Sequence, residues 1–205
     1  MTRIPRLVAL LVALTAVSIP ASAQRMTGAH PAGAIPSPEL MDTTGLFNSR
    51  FAKVGDDLFI AGQPTERGLR EAKARGVTTI VNLRTPPEMA RVGFDEAALA
   101  AQLGMTYVYL PVRGDSAMPY APATVARFAS TMEHANGKVL LHCTVAWRAS
   151  HLWAAYLITD RGVDVPAALA NARAINLGDA DPRMSGRQPV EQFLDRDLPQ
   201  LKRAP

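Results

Sequence analysis

An α/β fold is predicted, built in three layers as a central, mostly parallel sheet with helices on both faces. Three observations predict it. Short β-branched or apolar runs at 77–83, 105–112 and 138–142 alternate with longer segments of helical period. Strands that alternate with helices form a parallel sheet whose crossovers cover both faces. The most apolar run, Val139-Leu140-Leu141, stops at His142-Cys143, and a helical pattern begins at Arg148. In such sheets ligands bind beyond the carboxyl ends of the strands.

The chain opens with Arg3 and Arg6, an apolar run over 7–19 and the small residues Ala21-Ser22-Ala23. This is the composition of a secretory signal peptide, so removal of residues 1–23 and a secreted or periplasmic location are expected. The apolar run is too short for a stop-transfer helix, and no other stretch reaches membrane-spanning length. Residues 24–49 are rich in Gly, Ala, Pro and Ser without a period and are expected to form a flexible leader. The rest, 50–205, suits one domain.

Within that domain, 51–54 and 58–61 flank Gly55-Asp56-Asp57 and predict two β segments around a turn. Thr65 caps a helix that ends at Gly76. A strand at 77–83 is broken by Arg84-Thr85-Pro86-Pro87, and a single helix is expected over 88–103. A strand at 105–112, a loop at 113–119 and a helix at 121–136 follow. The central strand 138–142 leads to a helix over 148–160. Pro166 opens another helix, to 176, with its missing N–H at a position that needs none. A polar loop at 179–188 precedes a last amphipathic helix, 190–202, which Pro199 weakens.

The formal charge of +4 includes the two signal-peptide arginines, and the remaining Lys and Arg are scattered. No aromatic-interleaved basic stripe supports nucleic-acid binding. His30, His134, His142 and His151 lack paired metal-ligand spacing, so no metal or other cofactor is expected. No oligomeric state is indicated. Cys143 is the only cysteine, which excludes a disulfide within the chain; a buried small apolar residue, an intermolecular link and a reactive thiol are the readings open to it, and its place beside His142 and near Arg148 favours the reactive thiol.

The chemistry of this stretch is that of an oxyanion site with a nucleophile. A thiolate attacks, and a helix start or a nearby cation favours it over the thiol. The N–H groups of the 144–148 loop point toward an anion over the helix start. The planar fork of Arg148 matches two oxygens of a phosphate or sulfate-like group. His142 is expected to pack behind the loop and hydrogen-bond backbone, orienting Cys143. Asp115, Arg113, Gln63 and Arg84 fall in loops or at strand ends; caps and surface positions are the simpler reading for Gln63 and Arg84.

His142-Cys143, a short loop and Arg148 resemble the signature of the cysteine-dependent phosphatases. The match continues through Leu58-Phe59-Ile60-Ala61-Gly62-Gln63-Pro64-Thr65, Gly76-Val77-Thr78-Thr79-Ile80-Val81-Asn82-Leu83-Arg84 and Leu110-Pro111-Val112. These segments are similar to small bacterial tyrosine-phosphatase-like proteins related to the dual-specificity class, among them the domain of β-lactamase-hydrolase-like proteins. The resemblance implies a phosphatase-like fold and metal-free hydrolysis of a phosphorylated substrate through a cysteinyl-phosphate. It implies Cys143 as nucleophile, Arg148 as phosphate and transition-state ligand, and a general acid from a neighbouring loop. Asp115 is the first candidate for that acid, and Asp179 and Asp181 are weaker ones. His142, Thr144, Val145, Ala146 and Trp147 are the expected substrate-binding residues.

Departures from the pattern define the alternatives. The spacing is C-x4-R, whereas most phosphatases have C-x5-R; rhodanese-type sulfurtransferases share the shorter loop. Ala146 stands where the relatives carry glycine, and at φ > 0 it would cost on the order of 1 kcal/mol. Trp147 replaces a small polar residue, and Ala149 separates Arg148 from the hydroxyl of Ser150. Sulfur transfer through a Cys143 persulfide and a catalytically silent phosphate- or anion-binding domain are therefore the competing readings.

Overall fold

A computed structural model describes residues 35–178 and 186–201. The expected signal peptide lies outside the described residues, as do Asp179 and Asp181. Six strands form one sheet in the order β1-β2-β3-β6-β4-β5. They are β1 (Pro38–Leu40), β2 (Phe51–Val54), β3 (Leu58–Ala61), β4 (Val77–Asn82), β5 (Thr106–Tyr109) and β6 (Lys138–His142). β3, β6, β4 and β5 run parallel, while β1 and β2 add an antiparallel edge. The predicted α/β class and largely parallel sheet are what is found.

β6 sits between β3 and β4, and all five of its residues but Lys138 are buried. Its unbroken apolar run is the pattern of a strand covered on both faces. Alternation of side chains sends Val139 and Leu141 to one face and Leu140 to the other. The first face packs Leu58, Ile60, Val81, Val139 and Leu141 against α4 (Pro122–His134), α5 (Trp147–Thr159), α6 (Val165–Ile175) and α7 (Pro189–Phe193). The second packs Phe59, Ala61, Ile80 and Leu140 against α1 (Glu66–Ala74) and α3 (Glu96–Gln102). α5 is buried from Arg148 to Leu157, which its run of Ala, Leu, Trp and Tyr allows.

Three expectations about elements change. The single helix expected at 88–103 is two. Thr85 and Glu88 form a capping box, with Pro86 and Pro87 in the first turn, and open the short α2 (Pro86–Met89). Asp95 then caps α3 by accepting from the Ala98 N–H at 3.0 Å. The last helix ends at Phe193, because Asp195 turns to φ +47° and Pro199 starts a separate 3-10 turn (Pro199–Leu201). Within the expected leader, Pro38–Leu40 pairs with β2, and Phe47 is buried with its ring 4.1 Å from that of Phe51. An apolar face at Leu46-Phe47 is enough to tie down a segment whose composition alone reads as a linker.

Candidate active site

The register of the parallel strands sets the site. Ala61 of β3 and Asn82 of β4 lie opposite His142, so three strands end together and Cys143 follows at that edge. Alternation places His142 on the α3 side of the sheet and Cys143 in the α4–α7 core, where the thiol side chain is 1% exposed.

From Cys143 the chain turns into α5 through Ala146, which adopts φ +67°, ψ −3°. This left-handed conformation is the strained one anticipated for an alanine at the loop-glycine position. The loop is anchored from outside. The Thr144 carbonyl accepts from the Gln63 N–H at 3.0 Å and Asn48 Nδ2 at 3.3 Å, and the Val145 carbonyl from Asn176. With those carbonyls turned away, the first N–H groups of α5 (Trp147, Arg148, Ala149) have no backbone acceptor among the described residues. They form the partial positive charge of a helix start. Ser150 returns its hydroxyl to the Ala146 carbonyl at 2.9 Å and takes no part in the loop.

Arg148 is 9% exposed and held from several directions. Its Nη1 donates to the Leu83 carbonyl (3.2 Å), the Val112 carbonyl (2.9 Å) and Glu88 Oε2 (3.0 Å). Its Nη2 donates to Glu88 Oε1 and to the Thr144 hydroxyl at 3.1 Å. Glu88 also accepts from the Thr85 N–H, the Thr85 hydroxyl and the Thr144 hydroxyl at 2.8–2.9 Å. Burial pushes the Glu88 carboxyl upward, but the bonds from Arg148, Thr85 and Thr144 outweigh it and hold it at about 2. Glu88 is thus an ionised clamp on the guanidinium and cannot be a proton donor near neutrality. The same contacts keep the Arg148 guanidinium above its ordinary value despite its burial.

His142 departs from its expected role. It is fully buried, so its side chain does not touch a substrate, and its partner is a carboxylate rather than backbone. Nε2 lies 2.8 Å from Glu96 Oε1 on α3. Glu96 also receives Gln63 Nε2 at 2.6 Å and Asn82 Nδ2 at 3.3 Å; Asn82 in turn donates to the Tyr107 hydroxyl at 2.7 Å. Burial raises the Glu96 carboxyl, and the contacts with His142, Gln63 and Tyr107 more than reverse it. Gln63 and Arg84 are neither caps nor surface residues. Arg84 is 8% exposed, with its Nη1 on Gln63 Oε1, which joins the two in one polar network behind the loop.

A cleft of about 350 Å³ opens over the start of α5, lined by Thr85, Glu88, Arg91, Arg113, Tyr120, Trp147 and Arg148. Three arginines face one carboxylate there, which favours an anion. Burial pushes the Tyr120 phenol up to about 12, so it stays protonated. The Trp147 ring stands edge-on to His151, 4.6 Å away. His151 is buried, and burial pulls its imidazole down to about 3, so it packs as a neutral ring. Asp115 does not line this cleft. Its Oδ1 accepts from the Ala117 and Met118 N–H groups at 3.1 and 2.8 Å, closing the 113–118 loop, and Oδ2 lies 3.9 Å from Arg113 Nε. A larger cleft of about 840 Å³ is lined by Thr144 of the same loop and shares Arg91 with the smaller one. Val145 is 38% exposed.

Glu88 and Glu96 are functional neighbours that pattern reading passed over. Glu88 had a signal, the T-x-x-E spacing of a capping box at Thr85-Pro86-Pro87-Glu88. Glu96 had none beyond the need of a buried histidine for a partner.

Comparison with known proteins agrees with this geometry. The family described as the phosphatase-like domain of beta-lactamase hydrolase-like protein matches residues 50–158, more than half of the chain. A beta-lactamase hydrolase-like protein of Xylella fastidiosa is 32% identical over 135 residues, covering 64% of this chain and 31% of that protein. The chain therefore spans about a third of the length of that curated relative. Among solved structures, TpbA of P. aeruginosa in complex with phosphotyrosine superposes with a TM-score of 0.53 at 20% identity, over 71% of this chain and 80% of that one. Tk-PTP in its active form gives 0.51 at 19% identity, over 69% and 93%. The fold is that of the tyrosine and dual-specificity phosphatases. By the match over 50–158, the chain belongs to the family of beta-lactamase hydrolase-like phosphatase domains.

Proposed function

We propose that this chain is an exported phosphatase that hydrolyses phosphomonoesters through a cysteinyl-phosphate. The observation that carries the reading is the Cys143–Arg148 loop. It sets a cysteine at the end of the central strand beside a helix start and a guanidinium fixed by two backbone carbonyls and Glu88. The Cys143 thiolate attacks phosphorus, forming an S–P bond as the bond to the leaving oxygen breaks. The helix-start N–H groups and Arg148 carry the charge on the equatorial oxygens. Asp115 gives its proton to the leaving oxygen, which requires the 113–118 loop to release its present hydrogen bonds and swing toward the cleft. Water then attacks phosphorus, its proton returns to Asp115, and the S–P bond breaks to free phosphate and thiolate. Export follows from the signal-peptide composition of 1–23.

The test is phosphate release from p-nitrophenyl phosphate by the purified protein and its Cys143→Ser variant. Turnover should fall by a factor of about a thousand or more in the variant; turnover that survives removes the cysteine from the mechanism. Thiocyanate formed from thiosulfate and cyanide in a Cys143-dependent way would instead establish sulfur transfer.

A second reading, a silent anion-binding domain, is favoured by one observation. Both terminal nitrogens of Arg148 are already engaged, leaving Nε–H as the donor not committed to Glu88, Thr144 or backbone. Inactivity in both assays, together with a rise in unfolding temperature on adding phosphate, would support it.

A further inference from the structure

The larger cleft carries charge that the chemistry above does not use. Arg67, Arg84 and Arg91 line it against a single carboxylate, Glu66. Arg84 is nearly buried, yet neutral acceptors alone hold its guanidinium: Gln63 Oε1 on Nη1 and the Glu88 carbonyl on Nη2 at 3.0 Å. Its Nε has no partner among the described residues. No carboxylate oxygen bonds the guanidinium directly among the described residues; Gln63, which accepts from it, donates in turn to Glu96. A guanidinium withdrawn from water without a direct carboxylate is unfavourable unless an anion completes it. Arg91 is exposed and lines both clefts; its backbone N–H donates to the Glu88 carbonyl at 3.2 Å, while its guanidinium has no hydrogen bond or ion pair among the described residues. Between these cations the wall of the larger cleft is apolar, with Phe47 and Phe94.

Resting on the phosphatase reading, we propose that the substrate is a phosphomonoester carrying a second phosphate group. The scissile phosphate sits at Arg148 and the second in the larger cleft at Arg84 and Arg91, with the connecting carbon framework on Phe47 and Phe94. Arg91, common to both clefts, is the specificity-determining residue. A lone aryl phosphate fills only the smaller cleft and leaves Arg84 without its anion.

The experiment reads binding rather than turnover, so failure of the phosphatase reading in the p-nitrophenyl phosphate assay does not decide it. The Cys143→Ser variant is titrated calorimetrically with a series of alkanediol bisphosphates and with the matching alkyl monophosphates. The best bisphosphate should bind about tenfold tighter than its monophosphate, with an advantage that shrinks as salt rises. Adding Arg91→Ala, an exposed change that spares the core, should reduce the advantage to about twofold; Arg91→Lys should restore part of it. Phosphatidylcholine vesicles containing a phosphatidylinositol phosphate form a parallel arm, and Arg91-dependent binding there in excess of the soluble bisphosphates identifies a lipid headgroup as the source. Equal affinity for bisphosphate and monophosphate, binding of neither, or an advantage that persists in Arg91→Ala overturns the proposal. So does an acidic phosphotyrosine peptide that exceeds every bisphosphate in an Arg91-dependent way.

Discussion

Glu88→Gln separates the charge of the Arg148 clamp from its shape. The carboxylate accepts from both terminal nitrogens of Arg148, from the Thr144 hydroxyl and from the N–H and hydroxyl of Thr85. Glutamine keeps one acceptor oxygen and turns an NH2 group toward donors. Losing one partner of a fully buried pair costs about 3–5 kcal/mol, and losing an exposed one about 0–1. The side chains here are 11% exposed for Arg148 and 29% for Glu88, between those limits. The position of the carboxyl gives an independent figure. It titrates at about 2 instead of 4.5. Taken at face value that is about 3 kcal/mol, which screening by water at a partly exposed group reduces to about 2. At 2–4 °C per kcal/mol for a domain of this size, the variant should melt roughly 4–8 °C below the parent at pH 7.

The pH dependence has a definite sign. A depressed carboxyl contributes stability that is complete above its unfolded value, near 4.5, and is lost as pH falls through its folded value, near 2. The gap between parent and variant should therefore hold from pH 7 to about 5 and shrink by roughly three fifths at pH 3. Thermal unfolding followed by circular dichroism across that range is the assay. A variant that melts within about 1 °C of the parent at pH 7, or a gap that does not change with pH, refutes the clamp.

Three further outcomes follow from the same contacts. Ala146→Gly relieves the left-handed strain of about 1–2 kcal/mol but removes a buried methyl worth about 0.8, so urea unfolding should place it within about 1 kcal/mol of the parent on the stabilised side; a loss above that shows the loop is not strained. In Gly62→Ala, a Cβ would lie 1.6 Å from the Asn48 carbonyl oxygen and 3.0 Å from that of Thr144, which anchors the cysteine loop. That backbone must shift, so a destabilisation of about 2 kcal/mol or more, with loss of p-nitrophenyl phosphate turnover, is expected, and an unchanged unfolding midpoint contradicts the packing. Glu96→Gln leaves His142 without its buried anion and should cost about 3 kcal/mol at pH 7, with a deficit that narrows on acidification because the Glu96 carboxyl is depressed; a deficit that widens in acid refutes the pairing.

The fold was legible wherever local chemistry and tertiary packing agree. The apolar run of β6, the Thr65 cap of α1 and the left-handed turn at Gly76 are each encoded within a few neighbouring residues. Where a longer pattern could be cut by a cap, the boundaries moved. Asp95 restarts a helix inside an otherwise continuous alanine-rich stretch, and Asp195 with Pro199 divides the last one. Residues 38–49 look like a linker because their few apolar side chains are spaced irregularly. Phe47 nonetheless finds Phe51 and Pro64 across the chain.

By itself the sequence determined the α/β class, the strand that ends in Cys143, the loop that leads to Arg148 and the position of the strained Ala146. All of these are local, set by side-chain period and by the spacing of a few residues. Only the tertiary structure decided what holds that loop. Glu88 lies 60 residues from Arg148, and Glu96 lies 46 residues from His142. Each pairing depends on α2 and α3 folding back over the carboxyl ends of β4 and β6, which no short-range pattern records. Burial then fixes their chemistry. The same carboxylates would be ordinary surface groups on an open chain; within the fold they hold the guanidinium and imidazole on either side of the cysteine.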